Sequence, residues 1–368
     1  MKRLVLLGGG HAHVKVLADL AERKLDGWQV DLVSPYPRQI YSGMLPGWVA
    51  GHYAIESCAI SLLRMAQESG ARLHETAVAG IDLGRSEVAG ADGSRWPFDL
   101  LSIDTGPQAA PLPGSVENAL PIRPIERFVT AWPALIDRIG GRCRRFDLVV
   151  LGAGAAGIEL AFAIRHRALV DGWSHLTVTL VGADEWPLEG ALPGLRRRVA
   201  RLLAQRGIFW QGSRRAVSIK PGQIEFEQGP PAGFDECLVV TGAAAPDWAA
   251  ASGLATDARG FIRVGPTLQS ISHRQVFAAG DVAAYADPRP KSGVYAVRAG
   301  AVLAANLRAV CMGQAPQPWR AQQRALYLIS TGSRHALASW GPWSIGGDWV
   351  WHWKDRIDRR FMRRFGTA

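Results

Sequence analysis

The stretch LVVLGAGAAGIEL, residues 148–160, decides how this chain folds. Leu148 to Leu151 is an unbroken apolar run, the mark of a strand buried on both faces. Gly152, Gly154 and Gly157 follow at GxGxxG spacing, and a helical pattern begins after them. A following strand, Leu176 to Val181, completes a strand–turn–helix–strand unit. Glycines at such a turn let the backbone approach a pyrophosphate. The helix start adds free N–H groups and a partial positive charge.

Working outward, the same unit occurs at the N-terminus. LVLLGGGHAH, residues 4–13, leads into Val14, Leu17, Leu20 and Ala21 at helical spacing, then an apolar run from Trp28 to Val33 that ends at Ser34 and Pro35. One glycine turn is weak; two in matching contexts point to two dinucleotide sites. Both copies depart from the simple rule. His13 holds the third-glycine place of the first, and the acidic residue expected at the end of the second strand is Ser34 in one unit and Gly182 in the other. Ser34 can bond a ribose hydroxyl without a charge; Gly182 cannot. That leaves Asp184 or Glu185, just beyond, and the choice between NADH and NADPH stays open. Two more strands end informatively: FDLLSIDTG (98–106) in Thr105 and Gly106, and QVFAAGDVA (275–283) in Gly280 and Asp281, which puts a carboxylate at the sheet edge to accept hydrogen bonds from a sugar-like chain.

Composition narrows the class. The 368 residues predict two domains at roughly 150 residues each, with a short appendage. Hydrophobic residues at 48% and charged residues at 20% exclude wholesale disorder. Cys58, Cys143, Cys237 and Cys311 form no close pair, which excludes a disulfide-stapled scaffold, a zinc ribbon and a CxxC redox centre. His11 and His13 lack further ligands at useful spacing, so no metal is expected. The net charge of +10 gathers in arginine clusters without a zinc-finger, RNP-type or basic-zipper signature, so no specific nucleic-acid binding is expected. Leu4 to Leu7 is too short for the apolar core of a signal peptide, and no membrane-crossing helix is expected.

Glycine turn, strand–Thr–Gly, second glycine turn and strand–Gly–Asp, in that order, resemble the two-dinucleotide flavoprotein family of pyridine nucleotide oxidoreductases over residues 1 to about 310. SPYPR (34–38) and YSGMLP (41–46) resemble type II NADH dehydrogenases. GGGHAH with YSGMLPGWVAGHY is similar to the NADH dehydrogenase-like proteins found alone or fused to selenide, water dikinase. The resemblance implies an α/β fold of two Rossmann-like domains. FAD would occupy a discontinuous domain, 1–110 and 260–320; NADH or NADPH would occupy an inserted one, 111–259; a C-terminal segment, 321–368, would cover the flavin. It assigns FAD contacts to Gly8, Gly10, His11, Ala12, His13, Ser34, Pro35, Arg38, Tyr41, Ser42, Thr105 and Gly106. Gly280, Asp281, Lys291, Tyr295 and Ala296 complete that set, and Gly152, Gly154 and Gly157 take the nicotinamide dinucleotide. Dithiol chemistry needs a CxxxxC pair near the flavin, and none stands around Tyr41. Sulfide:quinone oxidoreductases rely on a cysteine pair that these four cysteines do not obviously supply.

Hydride transfer to a flavin needs little acid–base help. Lys291, before a helix reading Val294, Val297, Ala301 and Val302, would supply positive potential. The resemblance puts Glu159 near the nicotinamide and flavin, to orient the nicotinamide or relay a proton, and a plain helix-start role on the first turn competes with this. His52 and Tyr53 would line the acceptor side or pack a turn. From about Gln322 the tail changes character. Trp340, Trp343, Trp349, Trp351 and Trp353 crowd together, and Val350, Trp353, Ile357, Phe361 and Phe365 fall at helical spacing. Such a stripe, bordered by arginines, suits an anionic membrane surface through Trp349–Ala368, the protein's own core, or a second copy in a homodimer. The expected function is an FAD-dependent NAD(P)H oxidoreductase passing electrons to a quinone or similar acceptor, cytoplasmic and peripheral on the inner face of the cell membrane. Its alternatives are a soluble sulfur or selenium substrate acting through Cys58, and a nucleotide-loaded interaction protein without turnover.

Overall fold

The computed structural model describes residues 1–291, 293–322 and 324–366. Ser292, in the loop before the Tyr295 helix, and Thr367 and Ala368, at the end of the proposed membrane-facing segment, lie outside the described residues, as does Gln323.

In chain order the main elements are β1 (Lys2–Leu7), α1 (His11–Glu22), β2 (Trp28–Val33), α2 (Leu45–Val49), β3 (Arg72–His74) and β4 (Leu100–Ile103). Next come β5 (Leu120–Pro121), α3 (Ile125–Gly140), β6 (Phe146–Leu151), α4 (Ala155–Val170), β7 (Leu176–Val181), α5 (Pro193–Gln205), β8 (Ile208–Gln211) and β9 (Glu236–Val239). The chain ends with β10 (Val276–Ala278), α6 (Gly293–Cys311), β11 (Tyr327–Ser330), β12 (Ala336–Trp340), β13 (Trp343–Gly347) and α7 (Asp348–Phe365).

Two five-stranded parallel sheets organise these elements, in the orders β10–β4–β1–β2–β3 and β5–β9–β6–β7–β8. All five strands of the second sheet lie in sequence between β4 and β10 of the first. In each sheet the glycine turn follows an interior strand, β1 or β6, and opens the helix that crosses to the neighbouring strand. Leu4 to Leu7 and Leu148 to Leu151 are buried throughout, as parallel strands covered on both faces require.

His13 shows how the first unit tolerates a side chain where glycine is usual. Its ring is fully buried, with Nδ1 2.6 Å from the Gly8 carbonyl and Nε2 2.8 Å from Ser102 Oγ on β4. The ring thus stitches α1 to the sheet, and both nitrogens are engaged inside the protein rather than offered to a cofactor.

Gly293–Cys311 is long and apolar enough to cross a membrane by length and composition. Here α6 packs on α1: a Cβ at Gly300 would lie 2.9 Å from Ala12 Cα, and Arg308 pairs with Asp19 at 2.5 Å. It is a core helix of the first sheet.

The tail also differs from the expected single stripe. Helix α7 starts at Asp348, and it carries two faces one residue out of phase. Val350, Trp351, Asp358, Met362 and Phe365 point inward, whereas Trp349, Trp353 and Ile357, at i, i+4 and i+8, are 54%, 39% and 41% exposed.

Candidate active site

The first glycine turn leaves no room for side chains. Gly8 sits at φ +87°, and a Cβ on it would lie 2.5 Å from Thr105 Cα; Gly10 caps α1 with its Cβ position filled by the Asp104 carboxylate. Gly106, at φ +71°, continues the turn after β4. Asp104 was not legible as a site residue. Its Oδ2 accepts from the amides of Ala12 at 2.7 Å and His13 at 3.0 Å. Two helix-start donors expected to meet a pyrophosphate are therefore taken by this carboxylate. Burial pushes its pKa up to about 7 against the pull of those amides. Gly280 closes over it: a Cβ there would overlap Asp104 Oδ1 and approach Ala296 Cβ at 3.5 Å. The structure thus joins Gly8, Gly10, Ala12, Thr105, Gly280 and Ala296 around one carboxylate, with Asp281 next in the chain and Tyr295 buried in the first turn of α6.

Other expected contacts are engaged elsewhere. Arg38 is held by Glu126 on α3 through two 3.0 Å bonds, and the Ser34 hydroxyl donates to the Tyr36 carbonyl at 3.1 Å while Pro35 is exposed. Lys291 Nζ donates to the Ala283 carbonyl at 2.5 Å and lies 3.9 Å from the Phe261 ring centroid. Burial lowers its pKa to about 8, against the attraction of Asp281. Tyr41 stacks on Phe361 of α7 at 4.6 Å, with the His11 ring edge-on at 5.5 Å. Burial keeps His11 neutral, with a pKa of about 4. His52 Nε2 is bonded to the Gly332 carbonyl at 2.8 Å, and Tyr53 donates to Asp355 at 2.6 Å, so both fasten the tail.

At the second turn, Gly152 stands at φ +120°, Gly154 caps α4, and a Cβ at Gly157 would overlap the Gly152 carbonyl oxygen. Glu159 follows beyond the first turn of α4, so it is not a helix-start carboxylate. Instead its Oε1 accepts from the Ser330 amide of β11 at 2.8 Å. It lines a cavity of about 110 Å³ between the two sheets, with Ser42, Arg123, Ala156 and Thr241.

Behind Glu159 lies a buried polar chain that sequence reasoning missed. Lys354 on α7 donates to the Gly43 carbonyl at 2.5 Å and to Asp358 at 2.7 Å, and the Tyr41 hydroxyl donates to the other Asp358 oxygen at 3.0 Å. Burial raises the pKa of Glu159, opposed chiefly by Lys354, and raises that of Asp358, opposed by Lys354 and Tyr41. Burial alone would lower that of Lys354; the Asp358 and Glu159 charges outweigh it and leave it raised. Cys58 is sealed in the core, and burial pushes its thiol up to about 12, so it is no nucleophile at neutral pH. Among the described residues no group of three His, Cys, Asp or Glu is arranged to hold a metal.

The profile of the pyridine nucleotide-disulphide oxidoreductases matches residues 2–300. The chain belongs to that family. An NADH dehydrogenase-like protein of Mycobacterium tuberculosis is 25% identical over 297 residues, which is 77% of this chain and 73% of that one. The same fold occurs in the sulfide:quinone oxidoreductase of Aquifex aeolicus, with TM-score 0.83 and 18% identity, covering 99% of this chain and 91% of that one. NDH2 from Plasmodium falciparum, solved with NADH, gives TM-score 0.82 at 10% identity, covering 100% of this chain and 99% of that one.

This family member is a flavoprotein oxidoreductase whose cofactors are FAD and NADH or NADPH. Its residues fit such ligands. Gly8, Gly9, Gly10, Gly152 and Gly157 leave no room for a Cβ, and several buried polar atoms have no partner: His11 Nε2, Arg123 Nη1, Thr241 Oγ1 and Tyr285 Oη. Arg123 carries the clearest signal. It lies in the linker before α3, on the cavity wall, and it faces Asp281 electrostatically. An unpaired buried guanidinium nitrogen costs stability unless a ligand completes it. Arg123→Met is therefore expected to raise the melting temperature of the FAD-free protein and to weaken FAD binding by about tenfold or more, a single lost charge-assisted contact. Thermal unfolding with and without added FAD checks both signs. A purely structural arginine would lower stability in both states.

Proposed function

We propose that this oxidoreductase passes electrons from its nicotinamide cofactor to a quinone, working against an anionic membrane surface. Bound FAD would supply the redox chemistry that links a two-electron hydride donor to the acceptor. The chain's own residues handle protons. Reducing a quinone consumes two electrons and two protons; hydride from NADH brings both electrons and one proton, so the second proton must come from the protein or solvent. Glu159, its pKa raised by burial, would hold that proton on the wall of the cavity between the sheets, with the Lys354 charge opposing the rise.

The observation that carries this reading is Glu159 on the cavity wall, acted on electrostatically by Lys354, which with Asp358 and Tyr41 forms a buried hydrogen-bonded chain. The sealed Cys58 counts against sulfur or selenium chemistry through that residue. The outer surface of the tail supports a lipid setting. Trp343 on β13 is 78% exposed, Trp340 and Ile345 are also exposed, and the Trp349 and Trp353 rings of α7 stack 6.3 Å apart. Arg356, Arg360, Arg363 and Arg364 share that helix. Indole rings at headgroup depth with arginines beside them favour an anionic interface.

One assay tests both parts: NADH-dependent reduction of a water-soluble short-chain quinone and of a long-chain quinone dissolved in anionic vesicles. Glu159→Gln is expected to slow both by at least about tenfold without changing NADH binding, as expected of a lost proton-transfer group. Trp349→Ala/Trp353→Ala is expected to slow only the vesicle reaction. Full quinone turnover in Glu159→Gln, or equal vesicle turnover in the double variant, would contradict the corresponding part.

A further inference from the structure

We infer that the second dinucleotide site grips the adenosine half of its ligand through the Trp210 ring and leaves the ribose 2′ position unread, so that NADH and NADPH bind almost equally. This rests on the reading of the Gly152–Gly157 turn as the nicotinamide dinucleotide site. In such a site the strand after the turn helix usually ends in a carboxylate that bonds the 2′-hydroxyl. Here β7 ends at Gly182, and the missing side chain has been replaced in space. A Cβ on Gly182 would lie 2.6 Å from Trp210 Cη2 and 2.8 Å from Ala153 Cβ. The indole of β8 therefore fills the volume an acidic side chain would need, directly beside the residue between the first two glycines of the turn.

The ring is held in that place. Trp210 Nε1 donates to the Glu185 carbonyl at 3.2 Å. The segment after β7 is pinned along the end of β8: Gly182 N donates to Gln211 O at 3.0 Å, Arg214 N to Gly182 O at 2.8 Å and Ser213 N to Asp184 O at 2.9 Å. Trp210 is only half-buried, so part of the ring remains available to a ligand. The two arginines that follow β8, which could bind a 2′-phosphate from this edge, are engaged elsewhere. The Arg214 guanidinium lies on the Phe226 ring at 3.9 Å, and Arg215 pairs with Glu227 at 3.6 Å. Asp184 and Glu185 come only after Ala183, past the strand end. An aromatic face binds adenine through its π surface and is indifferent to what the 2′ oxygen carries.

Calorimetric titration of the FAD-loaded protein with NAD⁺ and NADP⁺ reads this without turnover. The two dissociation constants should agree within about threefold, a difference well under 1 kcal/mol. Trp210→Ala should weaken both in parallel by about tenfold or more, the scale of one base–aromatic stack. Trp210→Leu fills the same space without an aromatic face and guards against misfolding; it should lose nearly as much. A preference above tenfold for either ligand in the unaltered protein overturns the inference. So does a Trp210 variant, either one, that leaves both affinities intact or changes their ratio. Binding of neither ligand to the unaltered protein overturns the reading of the turn itself, a result distinct from selective binding.

Discussion

Gly157→Ala is expected to abolish reduction of the bound flavin by either nicotinamide while FAD stays bound. The added methyl group would overlap the Gly152 carbonyl oxygen, which is backbone and has little room to yield. Gly152 N is tied to the Val181 carbonyl at 2.8 Å, and the Cβ position of Gly152 already abuts the Val240 carbonyl at 2.5 Å. The helix α4 must therefore lift from β6, which costs roughly 1–3 kcal/mol as overpacking and displaces the amide donors of the turn. The first glycine turn belongs to the other sheet and is left intact. The purified variant should keep the visible absorbance of FAD, and its affinity for NADH should fall by about a hundredfold or more, the equivalent of losing several phosphate contacts. Retained affinity would mean that the second turn is not the nicotinamide site.

Lys354→Met is the second large effect. It leaves the buried Asp358 and Glu159 carboxylates without their shared cation, and breaking a buried pair typically costs about 3–5 kcal/mol. The pH dependence has a definite sign. Both carboxyl groups have folded-state pKa values raised above their unfolded ones, so each lowers stability as pH climbs from the ordinary carboxylate range through the raised value. Lys354 opposes that rise in both. Without it the folded values climb further and the loss extends to higher pH. The variant should be closest to the unaltered protein in acid and fall away toward neutral pH, as measured by urea unfolding across pH. Lys354→Met/Asp358→Asn should regain part of the loss, because the double variant leaves fewer buried charges unpaired. A deficit constant with pH would assign Lys354 a packing role only.

What the sequence made legible follows from what needs a particular residue locally. Gly8 and Gly152 adopt positive φ at close backbone contacts, so the two turns announce themselves as glycine. The Gly280–Asp281 strand end is readable for the same reason. Asp104, by contrast, meets the Ala12 amide across 92 residues of sequence, and Tyr41 reaches Asp358 across 317. Nothing near Asp104 or Asp358 in the sequence distinguishes either from an ordinary surface polar group. Arg123 was missed because its signal is an absence, a buried nitrogen with no partner, visible only once both sheets are in place. The single apolar stripe expected for the tail merges two faces: Val350 and Phe365 turn inward, whereas Trp353 and Ile357 are exposed. Residues 349, 353 and 357 and residues 350, 354 and 358 share a spacing, and only packing on β12 shows which set turns inward. Lys291 illustrates the converse: its charge was legible, but its attachment to the Ala283 carbonyl was not.

An anaerobic titration of the FAD-loaded protein with NADH, followed through the flavin absorbance band near about 450 nm common to flavoproteins, asks whether the two glycine turns serve one electron path. Loss of that band at one equivalent of NADH per flavin is the predicted result, with the colour restored on adding a quinone. A flavin that stays oxidised in excess NADH and in excess NADPH would contradict it.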